Sequence, residues 1–584
     1  MRISYDYTPD AALASVAVAA VPPPVPPVDP TTPDLSFLAA EFALALQSFY
    51  ATVDRLIAAN PVDAADPKER LLQAMRQGKA VAAAIGFFLK FKPYEMLAEI
   101  RAKEKLFQPA LGPILVADGA TVREVFERHD EFTVDPYGVE MKKVMTPAWN
   151  GGFDTFILST DKGPAYEPDR ALLSAVCHRN DAIALTGLLH DECVRRVGAA
   201  VGAARDAGAN VIDIVPTVAR YVPIAVGHRY LGVPVGDSIA SFELTSEMLT
   251  YYGQPIDGLA ETALGKDDGI VPDAPTMYQW IKAAFQHFFN NVQKDQAVAV
   301  RGLRSCRLLL AYLLREIDIQ RRRIDAGLPV DDTMLTRLVR FQLGLPVAGA
   351  TRPADLDPVH LNDLRLAENV MGTIVGAVAG QEEATCRVFE AMMRLKAGEY
   401  ATSGSADAEY GSYDDARQLA LNVMRDPADQ ASRQRLFRYA MEALRLEPQG
   451  EVLLRQCVAE GARIGDSRPI RAGTLVFVSH GSAMKDVPEP RAFVLNRPAD
   501  ASIPYGWGRH TCLGQYVSPA IIVESMVAVL ALEGLERPDA HVDEPAFPFE
   551  RRFGRLQLDD NNLYATTFSL RFADAGTTRE WYPA

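Results

Sequence analysis

The sequence predicts a mainly α-helical protein that also contains a small β region and an N-terminal helical extension. Apolar residues recur at helical spacing through most of the chain, most regularly in residues 181–323 and 361–395. Short apolar stretches near residue 111, within residues 451–476 and in the C-terminal tail predict the strands. With 584 residues, 48% of them hydrophobic, the chain is long enough to bury a large core.

The N-terminal part is predicted to differ from the rest of the chain. Residues 1–33 are rich in Ala and Pro and end in VPPPVPPVDPTTP, a composition typical of a disordered tail. Helical spacing then predicts an extension over residues 34–92, whose second helix ends in IGFFLKFK. Two interpretations stay open for this extension: helices packed on the main domain, or a helix that makes peripheral contact with a membrane surface or docks onto a partner. The main domain is predicted to cover residues 93–584.

Charge and cysteine usage limit the partners and the compartment. Lys and Arg number 60 and Asp and Glu 75, a net charge of −15, which argues against nucleic acid as a partner. The six cysteines form no C-x-x-C pair, as expected in a reducing compartment. Asp6 and Asp10 precede the apolar residues 11–21, where a signal peptide would carry basic residues. No apolar run approaches the roughly 20 residues that span a bilayer. We therefore expect a cytoplasmic protein.

A glycine-rich loop near the C-terminus contains the strongest chemical signal. Residues Ile503–Gly514 read IPYGWGRHTCLG. The thiolate of Cys512 can ligate a metal or haem iron, and Arg509 and His510 would favour the deprotonated sulfur. A buried structural cysteine in an ordinary turn is the alternative. The spacing favours a ligand, because three glycines would let the backbone bend and approach a flat cofactor closely: Gly506, Gly508 and Gly514.

This loop, Tyr505-Gly506-x-Gly508-x-His510-x-Cys512-x-Gly514, resembles the haem-binding loop of the cytochrome P450 family. The resemblance implies that Cys512 is the axial ligand of haem b (iron protoporphyrin IX) and that His510 contacts a haem propionate. It also implies a mostly helical cytochrome P450 fold over residues 93–584. The family usually has Phe in place of Tyr505, so a hydroxyl is added near the sulfur.

Two further segments resemble the propionate ligands of the family. Tyr166-x-x-x-Arg170 resembles its His-x-x-x-Arg segment, with Tyr166 standing where His is frequent. Residues four apart lie on one helix face, so both side chains can reach one anionic group. A surface ion pair is the alternative for Arg170. Arg455 stands where the family has another propionate ligand.

An ordered set of charged residues precedes the loop. Glu442 and Arg445 lie three apart on a predicted helix and can form a charge-assisted pair. They resemble the Glu-x-x-Arg pair of the family, and Arg497 stands where the family completes a triad. A lone E-x-x-R is a weak signal. Its position before the cysteine loop makes it specific.

The helix predicted over residues 361–395 is the second half of the proposed cofactor site. Gly372, Gly376 and Gly380 fall four apart, so they share one face and leave a groove for a planar ring. A membrane helix dimer is disfavoured, because the polar residues 381–383 interrupt the apolar run. The helix resembles the oxygen-binding helix of the family, which Ala379, Gly380 and Glu382 match.

The same helix departs from the family pattern at one position. Glu383 occupies the place of the usual threonine, and the nearest hydroxyl is that of Thr385. Glu382 and Glu383 could form a proton relay, because burial raises the pKa of one carboxyl in such a pair. A solvated helical turn is the alternative. Family members that rearrange fatty-acid hydroperoxides need no such threonine and often carry an amide near this point, a role that Gln381 fits. The Arg-Pro pair of bacterial peroxygenases is missing.

The resemblance also implies a pocket for an apolar small molecule. Some of the candidates for this pocket lie in the loop over residues 133–164, and for these the alternative is ordinary core packing or loop anchoring. The candidate pocket residues are Phe153, Phe156, Ile157, Leu158, Leu453 and Leu454.

Three functional hypotheses follow. The first is a monooxygenase that uses dioxygen and electrons from a separate ferredoxin or flavodoxin with its reductase, since the tail after the loop is too short for such a module. The second is a hydroperoxide isomerase or peroxygenase that needs no reductase. The third is a non-catalytic haem sensor or electron carrier.

Overall fold

The computed structural model describes residues 33, 48–91, 93–142, 160–161, 166–236, 271–291, 295–354, 356, 358–538, 557–558 and 565–583. The chain divides into two compact units, residues 1–85 with 110–112 and residues 86–109 with 113–584. The predicted tail lies outside the described residues except for Pro33. The predicted boundary between residues 92 and 93 stays a prediction.

The described part of the first unit contains one complete helix and the greater part of a second, which continues into the other unit at Gly86. Helix α1, Phe49–Ala59, begins after Ser48, whose side chain accepts a hydrogen bond from the Ala51 backbone N–H at 3.2 Å. Its apolar face buries Phe49, Val53 and Leu56. Helix α2, Pro67–Phe91, follows and begins with Pro at its first position, as is common for helices.

The second unit is mostly helical. Its α-helices are α3 Pro93–Lys103, α4 Gly119–Glu127, α5 Asp135–Lys142, α6 Tyr166–Val176, α7 Asp181–Asp206, α8 Tyr221–Val226, α9 Ala274–Phe285, α10 Gln296–Asp325, α11 Met334–Gln342, α12 Asp363–Val375, α13 Gln381–Lys396, α14 Tyr413–Arg425, α15 Gln430–Leu446, α16 His480–Ala483, α17 Val517–Leu530 and α18 Gly576–Trp581. The described residues also include four π-helical segments that extend or join these helices: Val215–Ala219, Gly227–Leu231, Gln286–Asn290 and Gly376–Gly380.

In the described part of the chain, the strands form three small sheets. The strands are β1 Leu106–Phe107, β2 Ile114–Val116, β3 Phe132–Thr133, β4 Val211–Asp213, β5 Leu453–Cys457, β6 Leu475–Val478, β7 Glu533–Glu536, β8 Gln557–Leu558, β9 Ala565–Thr567 and β10 Ser569–Ala573. The largest sheet has the strand order β1-β2-β6-β5-β3, in which β2 and β6 are parallel and the other pairs antiparallel. A second sheet has the order β4-β10-β7, and β8 pairs with β9.

The helix predicted over residues 361–395 forms the centre of the core with one unpredicted feature. It begins at Asp363 after Asn362, whose side chain accepts a hydrogen bond from the Arg365 backbone N–H at 2.7 Å. It ends at Lys396, but the five residues Gly376–Gly380 form a π-helical turn between α12 and α13. Such turns are rare and are frequently found at functional sites.

Helix α17 directly follows the cysteine loop and is buried on all sides from Ile521 to Leu530. A helix that is buried on all sides belongs to the core, so the loop leads directly into a core helix, whose buried Glu524 pairs with Arg433. Among the described residues, no helix is both long and apolar enough to cross a membrane.

Candidate functional site

Two glycines of the cysteine loop adopt left-handed backbone conformations. Gly506 has φ +77° and Gly508 has φ +70°, values that other residues rarely adopt. A Cβ on Gly508 would also lie 3.2 Å from the carbonyl oxygen of Phe126. The loop closes where the backbone N–H of Cys512 donates to the carbonyl of Tyr505 at 2.9 Å. The sequence therefore needs glycine at both positions to present the cysteine.

The sulfur of Cys512 is accessible but surrounded by protein. Cys512 is the exposed member of the six free cysteines. Desolvation by the surrounding atoms raises the pKa of its thiol, whereas the Gly514 N–H, which donates to Sγ at 3.3 Å, and the charge of Arg170 act in the opposite direction. A metal ion would reverse this balance, because a coordinating thiol is deprotonated outright.

Arg509 and His510 direct their charged groups away from the sulfur. Arg509 donates to Glu167 at 2.5 Å, and its guanidinium lies 4.2 Å from the centre of the Tyr166 ring. Nε2 of His510 lies 2.6 Å from Oδ1 of Asp161. The groups that stabilise the thiolate are thus Gly514 and Arg170, rather than the two side chains expected from the sequence.

Tyr166 and Arg170 lie beside the loop, as an i, i+4 pair on α6. The buried Tyr166 hydroxyl donates to the carbonyl of Arg509 at 2.8 Å, and its ring meets His510 edge-on at 5.3 Å. Arg170 donates to the carbonyl of Thr511 at 3.1 Å. Both side chains therefore fasten α6 to the loop, and Arg170 keeps further donors for a ligand.

Arg455 provides the test of whether these residues fit an anionic cofactor. It is 4% exposed, yet among the described residues no carboxylate forms an ion pair with it. It donates to the carbonyl of Leu454 at 2.8 Å and lies over the Phe126 ring at 5.0 Å. Desolvation lowers the pKa of Arg455, while Tyr137 and Asp161 oppose the shift. A buried cation that has only a distant carboxylate, Asp161, and no direct ion pair is costly, so a propionate carboxylate fits this position.

The second part of the candidate site is one face of the central helix, residues 363–396. Thr373, Gly376 and Ala377 are partly exposed although most of the helix is buried, and their spacing places them on one face. A Cβ added at Gly376 would meet no atom within 4 Å. At Gly380, in contrast, a Cβ would lie 2.8 Å from Nε2 of Gln449. The face thus has open space for a flat ring at Gly376 and is covered at Gly380.

Glu382 forms an ion pair that the sequence does not predict. It is fully buried, and its Oε1 accepts hydrogen bonds from Nε and Nη2 of Arg220 at 3.1 and 2.9 Å. Among the described residues, none makes a hydrogen bond of good geometry to Oε2. Burial raises the pKa of Glu382, although Arg220 and the nearby Tyr278 hydroxyl oppose the shift. The Arg220 guanidinium lies 4.4 Å from the centre of the Tyr278 ring. The one sequence signal for this partner is an arginine within the apolar segment VPTVARYVPIAV.

The other polar residues of this turn point into the protein. Gln381 and Thr385 are buried and bonded to each other, with Nε2 donating to Oγ1 at 3.3 Å. Glu383 is partly buried, and its Oε1 lies 3.4 Å from Nη2 of Arg387. Gln381 therefore already uses an amide hydrogen within the core.

The three charged residues before the loop come together as a triad. Arg445 is fully buried and donates to both carboxylate oxygens of Glu442, at 2.7 and 2.9 Å. Arg497 donates to Oε1 of Glu442 at 3.0 Å. The remaining donors of Arg445 reach backbone carbonyls, including that of Met484 at 3.2 Å. The triad thereby ties α15 to the segment that leads into the cysteine loop.

The strand side of the site contains two of the six candidate pocket residues. Leu453 and Leu454 are partly exposed on β5, and the Leu454 backbone N–H donates to the Tyr137 hydroxyl at 2.8 Å. Phe289 packs on Tyr137, with ring centres 5.5 Å apart. The other four candidates lie outside the described residues: Phe153, Phe156, Ile157 and Leu158.

His480 lies next to this region and makes stability depend on pH. Burial lowers the pKa of His480 from 6.5 to about 4, so the unfolded chain binds the proton more tightly. Stability should therefore fall as the pH drops from about 6.5 towards 4, by about 2 kcal/mol at pH 5. A His480→Gln variant should lose less stability between pH 7 and pH 5 than the parent in urea unfolding. Equal losses in both proteins would contradict the prediction.

Comparison with known proteins identifies the region of the triad and the loop. The cytochrome P450 family profile matches residues 436–527. Two fungal proteins, each described as a bifunctional dioxygenase–epoxy alcohol synthase, are similar over short segments. The protein from Fusarium oxysporum is 34% identical over 107 residues, and the one from Pyricularia oryzae is 36% identical over 94 residues. The matches cover 18% and 15% of this chain, but 8% of the length of each relative.

Solved structures extend the similarity to most of the chain. The cytochrome P450 EryK from S. erythraea superposes with a TM-score of 0.53 at 17% identity, over 82% of this chain and 95% of EryK. CalO2 gives a TM-score of 0.56 at 14% identity, over 83% and 97% of the two chains. PksS, a cytochrome P450 of Bacillus subtilis, gives 0.55 at 14% identity, over 83% and 98%. The predicted fold class is confirmed.

Proposed function

Because this chain is a member of the cytochrome P450 family, whose members are haem-thiolate oxidoreductases, we propose that it rearranges a fatty-acid hydroperoxide without an external reductant. The departure at Glu383 carries the proposal. A carboxylate stands where the family uses a hydroxyl to deliver protons to dioxygen, and Thr385 is fully buried and bonded to Gln381. The similarity to the two fungal epoxy alcohol synthases supports the same chemistry.

The described residues would hold haem b between the loop and the central helix. Cys512 would bind the iron through its sulfur, and the helix face that contains Gly376 would contact the cofactor. The propionates would meet Arg170 and Arg455, with His510 and Tyr166 beside them. Arg455 would gain a direct ion pair, which no carboxylate of the described residues provides. When bound, haem would supply an iron centre whose thiolate ligand favours O–O cleavage.

The residues around this space would bind and orient an apolar chain. Leu453, Leu454 and Phe289 offer partly exposed apolar surface, which would exclude water from the hydroperoxide. Isomerisation breaks the O–O bond and forms new C–O bonds within the same molecule, so it consumes no electrons and leaves the molecular formula unchanged. The protein needs only to hold the substrate in one orientation and to keep water out.

Monooxygenation is the second candidate, and the Glu382–Arg220 pair favours it. Glu382 can carry a proton on Oε2, because burial raises the pKa of this carboxyl and no residue in the described part of the chain makes a hydrogen bond of good geometry to this oxygen. The side chain of Arg220 is 19% exposed and so connects the buried carboxyl to the surface. Such a route would suit dioxygen chemistry, with electrons from a ferredoxin or flavodoxin and its reductase.

A turnover experiment without reductant separates these candidates. Purified haem-loaded protein is mixed anaerobically with a C18 fatty-acid hydroperoxide, with the corresponding hydroxy acid as the unreactive control. We expect rapid loss of the hydroperoxide and a product of identical mass by mass spectrometry. No loss without reductant, together with oxygen insertion when NADPH, ferredoxin and reductase are added, would refute isomerisation and support monooxygenation. If neither reaction occurs, the result would reject both catalytic candidates and support the third hypothesis, a non-catalytic haem sensor.

A further inference from the structure

Gln449 is a polar side chain at the proposed site to which the sequence assigned no role. It lies in the connection between α15, which ends at Leu446, and strand β5, which begins at Leu453. Its Nε2 lies 2.8 Å from the position that a Cβ on Gly380 would occupy. Real Cβ atoms do not approach other atoms this closely, so the amide sits against the helix only because residue 380 is glycine.

The position of Gln449 places its amide at the border of the open helix face. Gly376 and Gly380 lie four residues apart, one turn along the same face of the central helix. Gly376 faces open space, and Gly380 is covered by the amide. Gln449 therefore lies about one helical turn, ~5 Å along the axis, from the open end of this face.

The amide of Gln449 is also free to bind a ligand. Gln449 is partly exposed, and no hydrogen bond joins its side chain to any residue in the described part of the chain. An amide carries two donor hydrogens and an acceptor oxygen, and leaving them unpaired beside an apolar space is unfavourable. The amide of Gln381 differs, because it is buried and donates to Thr385.

We propose that Gln449 donates a hydrogen bond to an oxygen atom of the substrate or dioxygen that binds beside the central helix, where the helix face is open at Gly376. This hydrogen bond would orient that oxygen towards the iron. In the proposed reaction this atom is a peroxide oxygen of the substrate. The inference rests on the proposed haem site, but it holds for hydroperoxide and for dioxygen chemistry alike. It assigns to Gln449 the role that the sequence suggested for Gln381.

Infrared spectroscopy of the carbon monoxide complex tests this role without turnover. A hydrogen bond to the carbon monoxide oxygen lowers the C–O stretching frequency, so Gln449→Leu should raise the frequency. Gly380→Ala should raise it as well, because the added methyl group must displace the Gln449 amide. The double variant should match Gln449→Leu alone, since both changes remove the same contact.

A binding measurement provides a second readout. Titration with the unreactive C18 hydroxy acid, followed by the change in the haem spectrum, should show about fivefold weaker binding to Gln449→Leu, as expected for one neutral hydrogen bond. Gly380→Ala retains Gln449 but displaces its amide, so this variant tests the same contact if Gln449→Leu fails to fold.

Two results would overturn the inference. One is a C–O stretching frequency that is equal in the parent, Gln449→Leu and Gly380→Ala. The other is a shift in Gln381→Leu that is missing from Gln449→Leu. A frequency shift in a protein that consumes no hydroperoxide would instead reject the proposed reaction while supporting Gln449 as the donor.

Discussion

A Cys512→Ser variant is expected to lose both the red-shifted carbon monoxide complex of a thiolate-ligated haem and all hydroperoxide turnover. The serine hydroxyl is not ionised near neutral pH and cannot replace the thiolate as an iron ligand. The loop itself should keep its shape, because Gly506, Gly508 and the hydrogen bond from residue 512 to the Tyr505 carbonyl do not involve the sulfur. The measurement is the absorption spectrum of the reduced protein under carbon monoxide.

Cys177→Ser is the matched control for this variant. Cys177 is partly buried, and its thiol lies 3.4 Å from the sulfur of Met334, away from the loop. This control should keep the spectrum of the parent. An imidazole-type spectrum in the parent, or a thiolate-type spectrum in Cys512→Ser, would disprove the assignment of Cys512 as the axial ligand.

A Glu442→Gln variant should be destabilised by about 3–5 kcal/mol, the usual cost of breaking a buried ion pair by removing one partner. Glu442 accepts hydrogen bonds from Arg445, Arg497 and the Val494 backbone N–H, the last at 2.9 Å. Its loss would leave the fully buried Arg445 without an anion. Urea unfolding of the purified protein measures the change, and haem content after gel filtration shows whether the loop still binds its cofactor.

Arg438→Ala is the control on the same helix. Arg438 is 49% exposed, and its contact with Glu409 is 3.7 Å long, so its removal should change stability by less than about 1 kcal/mol. If Glu442→Gln and Arg438→Ala had similar small effects, the triad would not be the connection that fixes the loop.

The local motifs of the site could be predicted from the sequence, because short spacings on one helix or in one turn determine their geometry. Glu442 and Arg445 are three apart on a helix, and Gly506 and Gly508 lie in the loop that presents Cys512. In each case a few neighbouring residues decide the conformation.

Contacts between distant segments could not be predicted in this way. Arg220 and Glu382 are 162 residues apart, and their pairing depends on the packing of several helices. The π-helical turn Gly376–Gly380 likewise has no clear sequence signal, although its two glycines bound it. The position of Gln449 depends on a chain connection whose path only the fold determines.

The absence of a direct ion pair at the buried Arg455 links the supply of cofactor to the lifetime of the protein. A chain without haem carries a buried cation that no carboxylate of the described residues contacts directly, so part of its folding free energy is gained only when the cofactor binds. Binding to the folded state alone stabilises a protein by RT ln(1 + [L]/Kd), so stability rises with haem concentration. When haem is scarce, a larger fraction of newly made chains should unfold and meet proteases, and the amount of protein should follow the amount of haem in the cell.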